Sequence, residues 1–186
     1  MSNEQNKTIQ SILDIMNPAL CDETTYKLFK QRLTEDLPTR DENPANHFCV
    51  YSLPFNSLNK KIFFVHHKKS GLWISPGGHI DKGETLTEAL NREIEEELGV
   101  KKFFNKTPTP FLLTTTPIEN RIQPCKMHYD VWYLVPTNGS NFNIDPKEFH
   151  DTKWLTISEA KKMVTNSVNI RALGVLSILE NKKIKI

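Results

Sequence analysis

Five of the seven glycines in this chain lie between Gly71 and Gly99, and six of its fourteen glutamates lie between Glu84 and Glu97. Glycine tolerates positive φ and lets a backbone approach a ligand closely, so Gly77-Gly78 followed by Gly83 describes a loop that turns tightly twice. From Thr85 to Leu98 the residues Leu86, Leu90, Ile94 and Leu98 recur at every fourth position. That is the mark of one buried helical stripe, and Gly99 sits where a left-handed C-cap belongs. Glu93, Glu96 and Glu97 fall at i, i+3 and i+4, which puts three carboxylates on one face beside the stripe.

Like charges at that spacing repel by a few tenths of a kcal/mol per pair when solvated and by more when partly buried. A divalent cation reverses the sign. A cluster of hard oxygen ligands without interleaved His or Cys favours Mg²⁺, with Mn²⁺ as a substitute, over zinc, and Mg²⁺ is commonly shared with phosphate oxygens. The residues alone therefore suggest a magnesium site beside a glycine-rich loop, acting on a phosphorylated substrate. The competing reading is a solvated acidic helix face.

The rest of the chain frames this segment. Its 186 residues suit one domain with an appendage. Before about residue 37, Ile9, Ile12, Leu13 and Met16, then Tyr26, Phe29, Leu33 and Leu37, fall at helical spacing on either side of Asn17-Pro18, so two short helices are expected. The polar, proline-bearing stretch from Pro38 to Asn46 reads as a boundary, giving a leader over residues 1–45 and a domain over 46–186. In that domain strands are expected at 48–53, 61–66, 72–74, 111–115, 127–135 and 153–157, with two closing helices at 158–164 and 168–180. Thr156 and Glu159 form a possible capping box. The class is mixed α and β.

Composition excludes several functions. Twenty-four Lys and Arg against 22 Asp and Glu leave a net charge of +2, which argues against a nucleic-acid partner or an anionic membrane. Cys21, Cys49 and Cys125 are odd in number and far apart, so they read as free thiols rather than a disulfide framework or a metal-ligand pair. With no signal-like start and no long apolar run, a cytoplasmic, soluble protein is expected.

The acidic segment is decided by its spacing. From Gly78 to Val100 the chain reads G-x5-E-x7-R-E-U-x-E-E-x-G-U, U being a bulky aliphatic, with Gly78, Glu84, Arg92, Glu93, Ile94, Glu96, Glu97, Gly99 and Val100 at the fixed positions. From this chain's composition a chance match has a probability on the order of 10⁻⁸. The segment resembles the Nudix box. The resemblance implies an α/β/α sandwich around a mixed sheet, and hydrolysis of a nucleoside diphosphate linked to another group X at its pyrophosphate bridge. It implies Glu93, Glu96 and Glu97 as metal ligands with the carbonyl of Gly78, and Arg92 and Glu84 as an orienting pair. It also implies a further carboxylate before a late Trp-bearing strand, for which Glu148 is the first candidate and Asp151 the second. Either Glu96 or Glu148 would serve as the base, with Glu93 and Arg92 completing the catalytic set.

Other residues add weaker signals. Gly77 and Gly78 form the expected substrate loop; Trp73 is a candidate to stack on a base, against a core role, and His67, in the run His66-His67-Lys68-Lys69, to steer phosphate. His79 occupies a variable box position and receives no role. Tyr129 to Trp132 alternates with His128 and Asp130, as in a strand with one face toward a cleft. The helical leader followed by these motifs is similar to a group of bacterial Nudix proteins; covering the substrate cleft, forming a dimer contact and packing on the sheet are its alternative places, the last being the default. The partners expected are a small nucleotide-type substrate and, for assembly, a monomer or homodimer. A nucleotide-sensing module without catalysis, and removal of pyrophosphate from RNA 5′ ends, are the alternatives; isopentenyl diphosphate isomerisation ranks below both because its box departs from this one.

Overall fold

The run Asn46–Asn56 is buried along most of its length although its side chains alternate between two sides, so it belongs at the centre of a sheet covered on both faces. A computed structural model describes residues 3–119 and 124–182 of the chain, with side chains from residue 7 onward. Helices α1 (Asn3–Leu13) and α2 (Glu23–Leu33) flank a short 3₁₀ turn at Pro18–Leu20. Strands β1 (Asn46–Asn56), β2 (Lys61–His67), β3 (Trp73–Ile74) and β4 (Gly77–His79) then lead into helix α3 (Leu86–Leu98). Strands β5 (Leu112–Pro117), β6 (Met127–Pro136) and β7 (Phe149–Thr156) are followed by helices α4 (Ile157–Met163) and α5 (Ser167–Asn181).

The seven strands form one mixed sheet ordered β3-β2-β1-β6-β5, with β4 beside β1 and β7 beside β2. The β1–β6 pairing is parallel and the other pairings are antiparallel. Alternation along the strands builds a core on each face of the sheet. Phe48, Val50, Phe63, Val65 and Val131 pack with Leu86, Leu90, Ile94 and Leu98 of α3, while Leu53, Ile62, Phe64 and Leu134 pack with Leu173 and Leu176 of α5. The sheet is therefore the middle layer of an α/β/α sandwich, as expected.

The leader shares the first core: Ile12, Phe29 and Leu33 are buried in the same cluster as the α3 stripe. It also holds the start of α3. Thr8 Oγ1 donates to Glu84 O at 2.6 Å, Leu86 N–H donates to Ser11 Oγ at 3.1 Å, and Lys7 pairs with Glu88 at 2.8 Å. Arg32 is only 1% exposed and its guanidinium donates to the carbonyls of Leu37 and Asn46, fixing the entry into β1.

The strands and helices foreseen are present, with boundaries shifted by a few residues. Both capping signals are realised: Thr156 and Glu159 form a capping box, and Gly99 ends α3 at φ 71°. One element was not foreseen. Gly77–His79 is a strand on β1 rather than free loop, because Gly77 at φ 145° slides past Val50 and Tyr51 where any Cβ would collide. Among the described residues no helix is long and apolar enough to cross a membrane.

Candidate active site

Helix α3 sets the site by carrying its acidic face alongside β4. Thr85 caps its start, with Glu88 completing the capping box. The apolar stripe then anchors the helix so that Glu93 and Glu97 turn inward, with exposures of 9% and 6%. Glu97 Oε2 accepts from the Gly77 N–H at 2.6 Å. A Cβ on Gly78 would lie 2.6 Å from Glu93 Oε1, so the missing side chain is what lets that carboxylate reach the strand.

Arg92 ties the group together. It donates through Nε to Glu84 Oε1 at 2.8 Å, through Nη1 to Glu93 Oε1 at 2.8 Å and to Glu96 Oε2 at 3.1 Å, and through Nη2 to His79 O at 2.7 Å. The guanidinium thus fixes Glu84 against the loop and spaces two of the three helix carboxylates. Burial alone would lower its pKa, but the hydrogen bonds to Glu84 and the charge of Glu93 hold it above the usual arginine value.

The carboxylates carry the strain of this arrangement. Burial pushes Glu93 up to about 7 in spite of Arg92 beside it. Burial, then the charge of Glu93, raises Glu97 well above the usual carboxylate range, against the pull of the Gly77 N–H. Two buried acidic groups held together with oxygen donors only, and a glycine where a side chain would intrude, fit a hard divalent cation.

These residues line a cleft of about 910 Å³ that also includes Gly77, Gly78, His67 and Glu148. The loop before β7 brings Glu148 in. Lys68 N–H donates to Glu148 O at 2.8 Å and Lys68 Nζ to Pro146 O at 2.6 Å, so the 67–70 turn and the 145–148 turn brace each other. The Glu148 side chain is exposed in the cleft. Burial lowers the pKa of His67, opposed by the charge of Glu148.

Two candidates lie elsewhere. Trp73 is not among the cleft residues; β3 turns it away from the cleft-lining neighbours Leu72 and Ile74, and it stacks on His66 (5.0 Å, 12°) under Lys153 Nζ at 4.7 Å. Asp151 pairs across β7 with His66 and likewise does not line the cleft.

Cleft residues that the sequence did not single out include Arg40, Tyr51 and Lys147. Tyr51 stacks on Trp132 at 4.6 Å and 16°, a contact created by the β1–β6 register. Arg40 lies in the polar stretch read as a boundary. Neither position has a local signature; each becomes visible only once the strands are paired.

Residues 45–173 match the family model described as NUDIX domain. The chain is 31% identical to the m7GpppN-mRNA hydrolase NUDT17 of Xenopus laevis over 82% of its own length and 54% of that protein's, so it spans about half the length of this relative. It is 31% identical to an RNA pyrophosphohydrolase of Erythrobacter litoralis over 54% of this chain and 68% of that one. The fold is similar to that of a C. elegans Ap4A hydrolase, with a TM-score of 0.58 at 18% identity over 73% of this chain and 98% of the other.

Proposed function

The chain belongs to the NUDIX family, and on that premise we propose that it is a Mg²⁺-dependent pyrophosphohydrolase cleaving the diphosphate bridge of a nucleotide or nucleoside diphosphate-X substrate. The observation that carries this reading is the convergence of Glu93, Glu96 and Glu97 with the Gly77-Gly78 backbone at one cleft, cross-linked by Arg92. Glu93, Glu96 and Glu97, with the Gly78 carbonyl and Glu148, would hold the cation, and Mn²⁺ suits the same donors. Bound there, it would supply Lewis acidity toward the phosphoryl oxygens and acidify a coordinated water.

The residues themselves have separable tasks. Glu96 or Glu148 accepts the proton of the attacking water and orients it in line with the leaving oxygen. Arg92, with Glu84, keeps Glu93 and Glu96 at fixed spacing, so the site is assembled before substrate arrives. Lys68, Lys69 and Lys147 with His67 face the cleft and favour the polyphosphate chain there. The test is release of nucleotide or phosphate from a panel of nucleoside triphosphates, dinucleoside polyphosphates, ADP-ribose and nucleotide sugars with Mg²⁺. A folded protein that turns over none of them would exclude the reading.

A second reading, pyrophosphate removal from RNA 5′ ends, draws support from the basic rim of Arg40, Lys68, Lys69 and Lys147 on the cleft, which bulk charge concealed. Triphosphorylated and capped RNA belong in the panel beside the mononucleotides. Preference for RNA, lost with rising salt, would favour it.

A further inference from the structure

On the other side of β4 from the carboxylates lies a cluster that the proposed hydrolysis does not use. His47 opens β1, and the parallel register sets it opposite His128 of β6. Two residues along β1, Cys49 is opposite His79 of β4. Directly paired residues, and residues two apart on a strand, share a face, so His47, His79 and His128 emerge on one side of the sheet. The segment before β6 then brings Cys125 Sγ to 3.9 Å from His47 Nε2. His47 and Cys125 are buried, and the other two are half-buried.

We propose that His47, His79, His128 and Cys125 form a second metal site, for a borderline cation of the Zn²⁺ type, which joins β1, β4, β6 and the segment before β6 beside the catalytic carboxylates. One ligand atom from each of the four lies within 4.8 Å of every other. Metal–nitrogen bonds of about 2.0–2.1 Å place imidazole centroids about 3.2 Å from an ion and, at tetrahedral angles, about 5.2 Å from each other. The observed separations are 4.7 Å for His47–His79, 4.8 Å for His47–His128 and 5.1 Å for His79–His128. The three rings are thus spaced nearly as a tetrahedral ion would space them.

The hydrogen bonding points the same way. Both ring nitrogens of His128 are buried without a partner among the described residues, which a polar ring in a packed site does not do without cost. His47 Nδ1 faces Asn43 O at 3.1 Å, the outer contact that fixes a ligating imidazole and leaves Nε2 for the ion. One thiolate and three neutral imidazoles select zinc over magnesium, the reverse of the neighbouring oxygen site. Binding transfers the Cys125 thiol proton to solvent and forms the S–Zn bond. With four protein ligands the site is closed, so its role is to clamp the strand that presents Gly78 to Glu93.

One contact opposes occupancy. Arg40 Nη1 lies 3.2 Å from His79 Nδ1. Either ring nitrogen of His79 requires it to withdraw, since Nδ1 is the atom it covers and Nε2 binds a cation only when Nδ1 carries the proton. Arg40 is exposed, so it can move, and its charge works against the ion. A second grouping, Cys49, His128 and Asp130, shares only His128 and offers three ligands, with Asp130 Oδ2 already accepting from Thr114 and Thr116.

The full chain, stripped with chelator, is given equimolar Zn²⁺ in excess Mg²⁺, gel-filtered and analysed for bound zinc, and loaded in parallel with Co²⁺ for its visible spectrum. About one zinc per chain and a tetrahedral cobalt spectrum with a thiolate charge-transfer band are expected. Cys125→Ser removes that band, His128→Ala weakens zinc at least about a hundredfold, and Glu97→Gln changes neither. Wild-type protein that retains no zinc, an octahedral cobalt spectrum, or loss of the thiolate band in Cys49→Ser instead of Cys125→Ser overturns the proposal. Should the ligand variants fail to fold, Arg40→Ala decides: zinc affinity by chelator competition rises about tenfold, and an unchanged or lower affinity overturns the site.

Discussion

Strand β4 separates two polar corners that are built by different means. On one side Gly78 admits the Glu93 carboxylate, and on the other His79 stands among His47, His128 and Cys125. The acidic corner takes its three carboxylates from five consecutive residues of α3, whereas the histidine corner spans residues 47 to 128 and exists only through strand register. Burial acts on the two with opposite sign. It pushes Glu93 up to about 7, while burial, with help from neighbouring histidines, brings His79 down to about 3 and His128 to about 4. Each corner therefore tends toward neutrality until a cation arrives. Their donor atoms ask for different cations.

The largest effect expected is at Glu97. Glu97→Gln keeps the shape of the side chain but removes a buried negative donor, and kcat should fall by roughly 10³-fold while the protein stays folded. Steady-state kinetics on a substrate identified from the panel measures it. An unchanged kcat would break the assignment of the acidic corner as the reacting one. Gly78→Ala comes next. Its Cβ would meet only the far end of Glu93, at 2.6–2.8 Å, so the fold should survive with the carboxylate displaced. A misplacement approaching 1 Å costs about 10²-fold in rate. The neighbouring Gly77→Ala meets backbone at Val50 and Tyr51 and should instead unfold the strand, a contrast that thermal denaturation separates from kinetics.

The opposite pKa shifts give a pH signature in metal-free protein. Because the folded pKa of Glu93 lies above its unfolded value of 4.5, its contribution to stability is present below pH 4.5 and is lost as pH rises to about 7. The histidine contribution runs the other way. With folded values of about 3 and 4 against 6.5 unfolded, it is complete above pH 6.5 and is lost as pH falls through those values. The two slopes oppose each other between pH 4.5 and 6.5, so the comparison needs a difference measurement. Glu93→Gln should gain about 3 kcal/mol on wild type between pH 4.5 and 7.5 in chelator, and excess Mg²⁺ should erase that gain. Denaturant unfolding at the two pH values reads it, and an equal gain with and without Mg²⁺ would show that Glu93 does not meet the cation.

These corners also differ in how far the sequence exposes them. Helical spacing is local, so Leu86, Leu90, Ile94 and Leu98 disclosed the buried stripe and thereby the face on which Glu93, Glu96 and Glu97 stand. The short apolar run in Lys61–His67 and the partial alternation in Met127–Pro136 likewise disclosed strands. Register is not local. Nothing in the separations among residues 47, 79, 125 and 128 shows that β1 runs parallel to β6, and widely spaced cysteines read as unrelated thiols. The direction of Trp73 is hidden for a similar reason, since its side chain follows the parity of a two-residue strand against β2. Gly77-Gly78 looked like loop because glycine signals positive φ, which β4 satisfies at Gly77 while still pairing with β1.

Within the acidic corner itself, the features that fold the helix are separable from those that do chemistry, and this gives the smallest effect. Thr85 accepts from the Glu88 N–H at 3.3 Å, and Glu88 Oε2 accepts from the Thr85 N–H at 2.8 Å. Neither side chain lines the cleft. Thr85→Ala should therefore cost about 1 kcal/mol of stability, the usual value of a lost N-cap, and leave kcat within about twofold. The leader limits the damage, because Ser11 Oγ still accepts from Leu86 N–H and Lys7 still reaches Glu88. Denaturant midpoints set beside kinetics test this. A large fall in kcat without unfolding would mean that the helix start, and with it the docked leader, controls where the carboxylates stand, and the acidic corner would then be no more local than the histidine one.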